Sequence, residues 1–216
     1  MAEDVTAIAE ALNIQKLLSW GVSGGGPHVL ACAALLPELV AAAACLAAPT
    51  PFGVKGLDWY GGMGDDNIEE FGAALKGREV LEPFLESTST GILNCEPEEF
   101  IEAFLSILCP VDVAALSGEL GRFMLARLNR GIENTREGWV EDDLAFVKPW
   151  GFELDKIQIP VMLMHGRLDQ MVPFAHGQWL VERIPGVETR LLDGDGHVSL
   201  LSNHISEVHT WLLGMY

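Results

Sequence analysis

Positive charge is the scarcest resource in this sequence. Lys and Arg total 13 against 31 Asp and Glu, a formal net charge of -18. A surface of that sign repels phosphate backbones, so nucleic acid is excluded as a natural partner, and anionic membrane surfaces are disfavoured for the same reason. Its plain reading is solubility. Cysteine is also sparse. Cys32, Cys45, Cys95 and Cys109 form no C-x-x-C pair and no zinc-ligand spacing. They read as reduced, mostly buried thiols of a cytoplasmic protein, with no metal site. A secretory leader is not expected, because Met1-Ala2-Glu3-Asp4 is acidic and no apolar run follows it. The most membrane-like window, Val29 to Ala48, is broken by Pro37 and Glu38, so no membrane span is expected. Internal repeats and low-complexity tracts are absent.

What is present is apolar. Hydrophobic residues make up 49% of 216, enough to bury a sizeable core and too many for a disordered chain. Asp4 suits the cap of a first helix with Val5, Ile8, Ala9 and Leu12 on one face, and Asn13 suits its end. Leu17 to Trp20 and Leu39 to Ala47 are short apolar runs without polar alternation, as expected of strands buried on both faces of a parallel sheet. Between them, Val29 to Leu36 reads as a small-residue helix. From Phe52 to Lys148 the character changes. Acidic clusters and helical apolar spacing (Phe100, Phe104, Leu105, Leu108; then Leu120, Met124, Leu125, Leu128) predict a mostly helical insertion. Strand character returns at Ile159 to His165 and at Glu188 to Leu192, with helices over Phe174 to Ile184 and Val198 to Leu213. Strands alternating with helices imply parallel pairing and right-handed crossovers.

Three short segments carry chemistry. Gly21-Val22-Ser23-Gly24-Gly25 matches G-x-S-x-G, with a strand running in and a helix running out. Such a turn pushes the serine hydroxyl above the sheet and aims the N–H of Gly24 at a forming oxyanion. Alone the pentapeptide is common. The nearby glycines do not make a phosphate loop, since Gly21 to Gly26 lacks the G-K-[ST] ending and the G-x-G-x-x-G spacing, and no cofactor is expected. The second segment, His165 to Pro173, places Asp169 just past a parallel strand, where its side chain enters the crevice at the strand ends. The third, Gly194-Asp195-Gly196-His197, follows the next strand on a flexible loop. Asp195 is the rival acid to Asp169. His28 reads as helix packing, His165 as support for the strand end, and His176, His204 and His209 as structural or exposed. Trp20 precedes the turn and reads as core packing or as a wall of an acyl pocket.

The order Ser23, Asp169, His197, each after its own strand, is that of the α/β-hydrolases, and the chain as a whole resembles that superfamily. The resemblance implies an α/β fold with a three-layer parallel-sheet core over 1–51 and 149–216 and an inserted helical cap over 52–148. Pro149-Trp150-Gly151-Phe152, leading back into the core, is similar to a cap-bearing subgroup. In this reading Ser23 is the nucleophile, His197 the base, Asp169 the residue that orients it and Gly24 an oxyanion donor. A serine nucleophile argues against the epoxide hydrolase and haloalkane dehalogenase branches. The implied activity is hydrolysis of a small, largely apolar ester, lactone or other acyl substrate. Trp59, Phe84, Phe100, Phe104, Phe123 and Trp139 are available to bind an apolar group or to form the cap's own core. Acyl transfer and peptidase chemistry use the same three residues. The family has several strands before the nucleophile strand, and the 22 residues before Ser23 hold one. The core is therefore expected to be N-terminally incomplete, without the loop that carries the second oxyanion donor, and its open sheet edge is suited to homo-oligomer formation. The alternative from another class is a catalytically impaired or non-catalytic fragment that serves as a binding or scaffold protein.

Overall fold

The two apolar runs that flank the glycine-rich turn are strands, and they pair in parallel. The computed structural model describes residues 1–93 and 95–216. Helix α1 (Ala2–Ala11) is followed by β1 (Leu17–Val22), α2 (Gly25–Leu35) and β2 (Val40–Leu46). Next among the described residues come α3 (Asp65–Lys76), α4 (Arg78–Ile92), α5 (Pro97–Ala103), α6 (Pro110–Leu116), α7 (Glu119–Ile132) and α8 (Glu137–Phe146). A short 3-10 turn at Leu154–Lys156 leads to β3 (Val161–Gly166), α9 (Phe174–Val181), β4 (Glu188–Leu192) and α10 (His197–Leu213). The sheet order is β1-β2-β3-β4 and every neighbouring pair is parallel.

Helices cover both faces of the sheet. On one face Leu30 and Ala33 of α2 and Leu180 of α9 pack with Ala43, Cys45 and Leu163. On the other, Leu200, Val208 and Leu212 of α10 pack with Ala42, Ala44, Leu46, Met162 and Met164. This explains the lack of polar alternation in β2 and β3, which are almost wholly enclosed on both sides. The alanines of β2 let α2 approach closely. A Cβ on Gly26 would collide with Ala48 and press on Cys45.

Some boundaries differ from the sequence expectation. Asp4 does not cap α1: the helix starts two residues earlier, and Asp4 lies in its first turn, 3.0 Å from the Met1 amino group. The run from Phe100 to Leu108 is not one helix. Pro110 forces Cys109 into an extended conformation, α5 ends at Ala103, and Leu105 is left exposed. Trp20 is neither core nor pocket wall. It stands on the outermost strand, 39% exposed, edge-on to His209 with ring centroids 5.7 Å apart. Among the described residues, β1 has a strand partner on one side only. No helix among them is long and apolar enough to cross a membrane.

Between β2 and β3 the helices carry their own cores. Leu81 and Leu85 of α4 meet Val140 and Leu144 of α8, while Ile92, Phe100, Leu125 and Ile132 form a second cluster. The central sheet remains the most enclosed part of the chain. Leu163→Ala, at a fully buried β3 position, is expected to lower the unfolding free energy by roughly 2–5 kcal/mol. Urea denaturation followed by circular dichroism would measure it, and a loss under about 1 kcal/mol would contradict tight packing there.

Candidate active site

Parallel strands end at one edge of the sheet, and the three predicted site segments start there. Ser23 directly follows β1 with φ 55, a left-handed conformation that costs a non-glycine residue roughly 1–3 kcal/mol. Two backbone hydrogen bonds hold it: Ser23 N–H donates to Leu46 O, and Gly26 N–H donates to Ser23 O, both at 2.9 Å. Helix α2 then starts at Gly25. A Cβ on Gly21 would collide with the Gly25 carbonyl, so the first glycine of the pentapeptide is sterically required. The last is not, since a Cβ on Gly25 meets nothing within 4 Å. The tight position on that side is Gly26, one residue on. Gly24 occupies the N-cap of α2, so its N–H belongs to the opening turn, whose amides have no partner inside the helix.

Asp169 and His197 meet. Asp169 Oδ2 accepts a hydrogen bond from His197 Nδ1 at 2.8 Å, and both side chains are buried. The other carboxylate oxygen, Oδ1, accepts the N–H groups of Met171 at 2.9 Å and Val172 at 2.8 Å. The loops after β3 and β4 are bound together, with Leu168 N–H donating to Asp195 O at 2.9 Å. Gly166 is needed at that crossing, because a Cβ would strike the Asp195 carbonyl. Burial pulls the His197 pKa down, but the Asp169 charge and hydrogen bond, with Asp112 behind them, outweigh burial and raise the pKa from the ordinary 6.5. The rival Asp195 faces elsewhere. It accepts from Asn203 Nδ2 at 2.7 Å and pairs with His204 Nε2 at 3.1 Å.

The other histidines have structural partners. His165 Nε2 donates to Val172 O at 2.8 Å, and burial lowers its pKa. His176 Nε2 donates to Trp59 O at 2.9 Å, and burial brings it down to about 4. His28 pairs with Asp142 of α8 at 3.1 Å. Among the described residues, no three His, Cys, Asp or Glu side chains converge as a metal site.

A cavity of about 350 Å³ opens beside Ser23 and Gly24 and reaches Met171 and Val172, whose amides hold Asp169. Its wall is largely aromatic and aliphatic. Of the aromatics singled out in the sequence, Trp59, Phe104 and Trp139 line it. Phe84 and Phe100 pack inside the helical clusters, and Phe123 is 62% exposed. Two acids that sequence reasoning passed over, Glu70 and Asp143, also line it.

Asp112 was likewise missed. It lies on α6, is 0% exposed, and is 85 residues from the atoms it serves. Its Oδ2 accepts the N–H of His197 at 2.9 Å. Its Oδ1 accepts those of Val198 at 3.0 Å and Ser199 at 2.8 Å, and the Ser199 hydroxyl at 2.7 Å. This is an N-cap supplied from a distant element, with an anion placed at the positive end of the helix that begins with His197. No local pattern marks it, because the partner is tertiary. Asp112→Leu would leave three buried N–H groups unpaired and is expected to lower the unfolding free energy by roughly 3 kcal/mol or more. Amide exchange at His197 to Ser199 should accelerate. An unchanged denaturation midpoint would show that the carboxylate is dispensable.

Comparison with known proteins agrees with this architecture. A family model described as alpha/beta hydrolase fold matches residues 1–204. A pimeloyl-[acyl-carrier protein] methyl ester esterase of Aromatoleum aromaticum is 37% identical over 54 residues, which is 25% of this chain and 22% of that protein. Among solved structures, a bromoperoxidase from Bacillus anthracis superposes with TM-score 0.64 at 22% identity, covering 99% of this chain and 72% of that one. An esterase from Thermogutta terrifontis gives TM-score 0.64 at 15% identity, over 99% and 71%. A meta-cleavage product hydrolase from Pseudomonas fluorescens gives 0.63 at 16%, over 98% and 68%. At such identities the structural likeness speaks for the fold. The chain belongs to the alpha/beta hydrolase fold family.

Proposed function

We propose that this hydrolase cleaves an ester, lactone or similar acyl bond of a small, largely apolar molecule, with Ser23 as nucleophile. The observation that carries the reading is the buried Asp169–His197 hydrogen bond of 2.8 Å at the same sheet edge as a serine held at φ 55. Nδ1 of His197 is committed to Asp169, which leaves Nε2 as the nitrogen for proton transfer. Ser23 Oγ attacks the acyl carbonyl carbon while His197 takes the hydroxyl proton. The carbonyl oxygen becomes an oxyanion facing the Gly24 N–H. Collapse of the tetrahedral intermediate breaks the bond to the alcohol, which leaves with the proton from His197. Water, deprotonated by the same imidazole, then releases the acid and restores Ser23.

The region 52–148 is the cap of this reading, and the cavity under it holds the apolar part of the substrate. The apolar wall supports this assignment. The open side of β1, with Trp20 exposed beside it, is the surface we assign to pairing with a second copy.

Two experiments test the hydrolytic reading. The protein is expected to hydrolyse p-nitrophenyl butyrate and to be labelled by a fluorophosphonate. Ser23→Ala should abolish labelling and lower kcat by roughly 10⁴-fold or more. Equal turnover by the protein and the variant would overturn the assignment. The pH profile follows from His197, which must be neutral to accept a proton. Its raised pKa places the acid limb of kcat/KM above 6.5. Asp169→Asn removes the charge that raises it, so the limb should move to lower pH while kcat falls by about 10⁴-fold. An acid limb below 6.5 in the unmutated protein would contradict the assignment of His197.

A further inference from the structure

Two carboxyl groups stand in the cavity beside Ser23, and the hydrolytic chemistry proposed above does not use them. Glu70 comes from α3 and Asp143 from α8. Asp143 is 3% exposed. Trp139, one turn earlier on α8, donates its Nε1–H to Glu70 Oε1 at 2.7 Å. The two carboxyl groups are neighbours, and each perturbs the titration of the other. Burial first, and then the adjacent Glu70 charge, push the Asp143 carboxyl well above the usual range. Glu70 is raised by burial against the pull of its bonds from Asp143 and Trp139. Raised to about 9, Asp143 holds its proton at neutral pH. Asp143 Oδ2 is enclosed, and no N–H or hydroxyl among the described residues reaches it.

The pair lies close to the predicted nucleophile. Phe146, three residues beyond Asp143 on α8, sits against Gly24. Asp143 is thus about one helical turn, roughly 5 Å along the axis, from the ring that covers the turn. A molecule in the cavity meets the serine, an aromatic wall, and then two acids. Holding α3 against α8 does not require those acids. Ala73 and Ala74 already pack on Val140 and Leu144, and an apolar pair would avoid the cost of burying carboxyl groups.

The chemistry of the pair selects its ligand. An anionic group is disfavoured in this acidic corner, with Asp66 and Asp142 nearby. A cation would have to shed its hydration in an apolar cavity, and Glu70 is already engaged by Trp139. A neutral donor can bond to the carboxyl groups that line the cavity without burying another charge. We propose that Glu70 and Asp143 form the polar end of an acyl pocket, where they accept a hydrogen bond from a hydroxyl group on the acyl chain, and so select hydroxylated acyl chains over plain or carboxylated ones. This rests on Ser23 as nucleophile, since the acyl chain is then the part retained in the cavity while the alcohol leaves.

Binding separates this proposal from the hydrolytic one. Ser23→Ala protein is titrated with methyl hexanoate, its 3-hydroxy and 6-hydroxy analogues, monomethyl adipate and methyl 6-aminohexanoate, with the fluorescence of Trp59 and Trp139 as the signal. One of the hydroxy esters is expected to bind on the order of tenfold more tightly than methyl hexanoate, because a site that hydrogen-bonds a hydroxyl discriminates against analogues lacking it. Monomethyl adipate should bind more weakly than either. The preference should disappear when Asp143→Leu is added, and should fall with Glu70→Gln, which keeps an acceptor for Trp139. The comparison in the pocket with both acids present stands whether or not Asp143→Leu folds. Equal binding of plain and hydroxylated esters, tighter binding of the adipate or amino ester, or no saturable binding of any ester would overturn the proposal. Hydroxy-ester preference together with turnover independent of Ser23 would strike the hydrolytic reading and leave the pocket's preference standing.

Discussion

Strands β2 and β3 bury both faces in alanine, leucine and methionine, so the helices must cross over the sheet from both sides. Parallel pairing brings every strand's C-terminal end to one edge. The residues past those ends therefore collect there whatever their separation in sequence. Ser23 stands past β1, Asp169 past β3 and His197 past β4. The left-handed turn at Ser23 persists because its N–H is tied to Leu46 of the neighbouring strand and its carbonyl to Gly26 of the helix.

Buried acids near the site fall into two groups. Asp112 and Asp169 are fully engaged, the first by three amides and a hydroxyl, the second by two amides and an imidazole. Their desolvation is offset by these donors, and each fixes the position of His197 from a different side. Glu70 and Asp143 are not engaged in this way. They stand side by side, and one enclosed Asp143 oxygen lacks a protein donor. That contrast separates acids that hold the structure from acids that face a ligand. It also shows that the helices between β2 and β3 reach into the core, since Asp112 on α6 completes the N-terminus of α10.

Much of this was legible in one dimension. Short apolar runs identified β1 to β3, and proline and glycine marked where the neighbouring helices stop. The helical spacing of the middle segment was also legible, although the break after Ala103 was not. Periodicity counts residues and does not by itself mark where a helix stops, and α5 ends well before the extended Cys109 that precedes Pro110. Trp20 was misplaced for a related reason. An apolar residue in a strand reads as core, and only the sheet order puts β1 at the edge.

Strand chemistry and the glycine-rich turn depend on neighbours close in sequence, so the sequence by itself determined the alternation of strands and helices, the turn at Ser23, and Asp169 and His197 as candidates. The tertiary structure decided what depends on distant partners. It brought His197 against Asp169, the acid already favoured in the sequence, and turned Asp195 toward Asn203 and His204. It sent Trp59, Phe104 and Trp139 to the cavity, and Phe84 and Phe100 to helix cores. It also brought Asp112 to a helix 85 residues away, and Glu70 to Asp143. Hydrogen bonds and desolvation act over a few ångströms in space, and the spacing of residues along the chain carries no record of which ones will be that close.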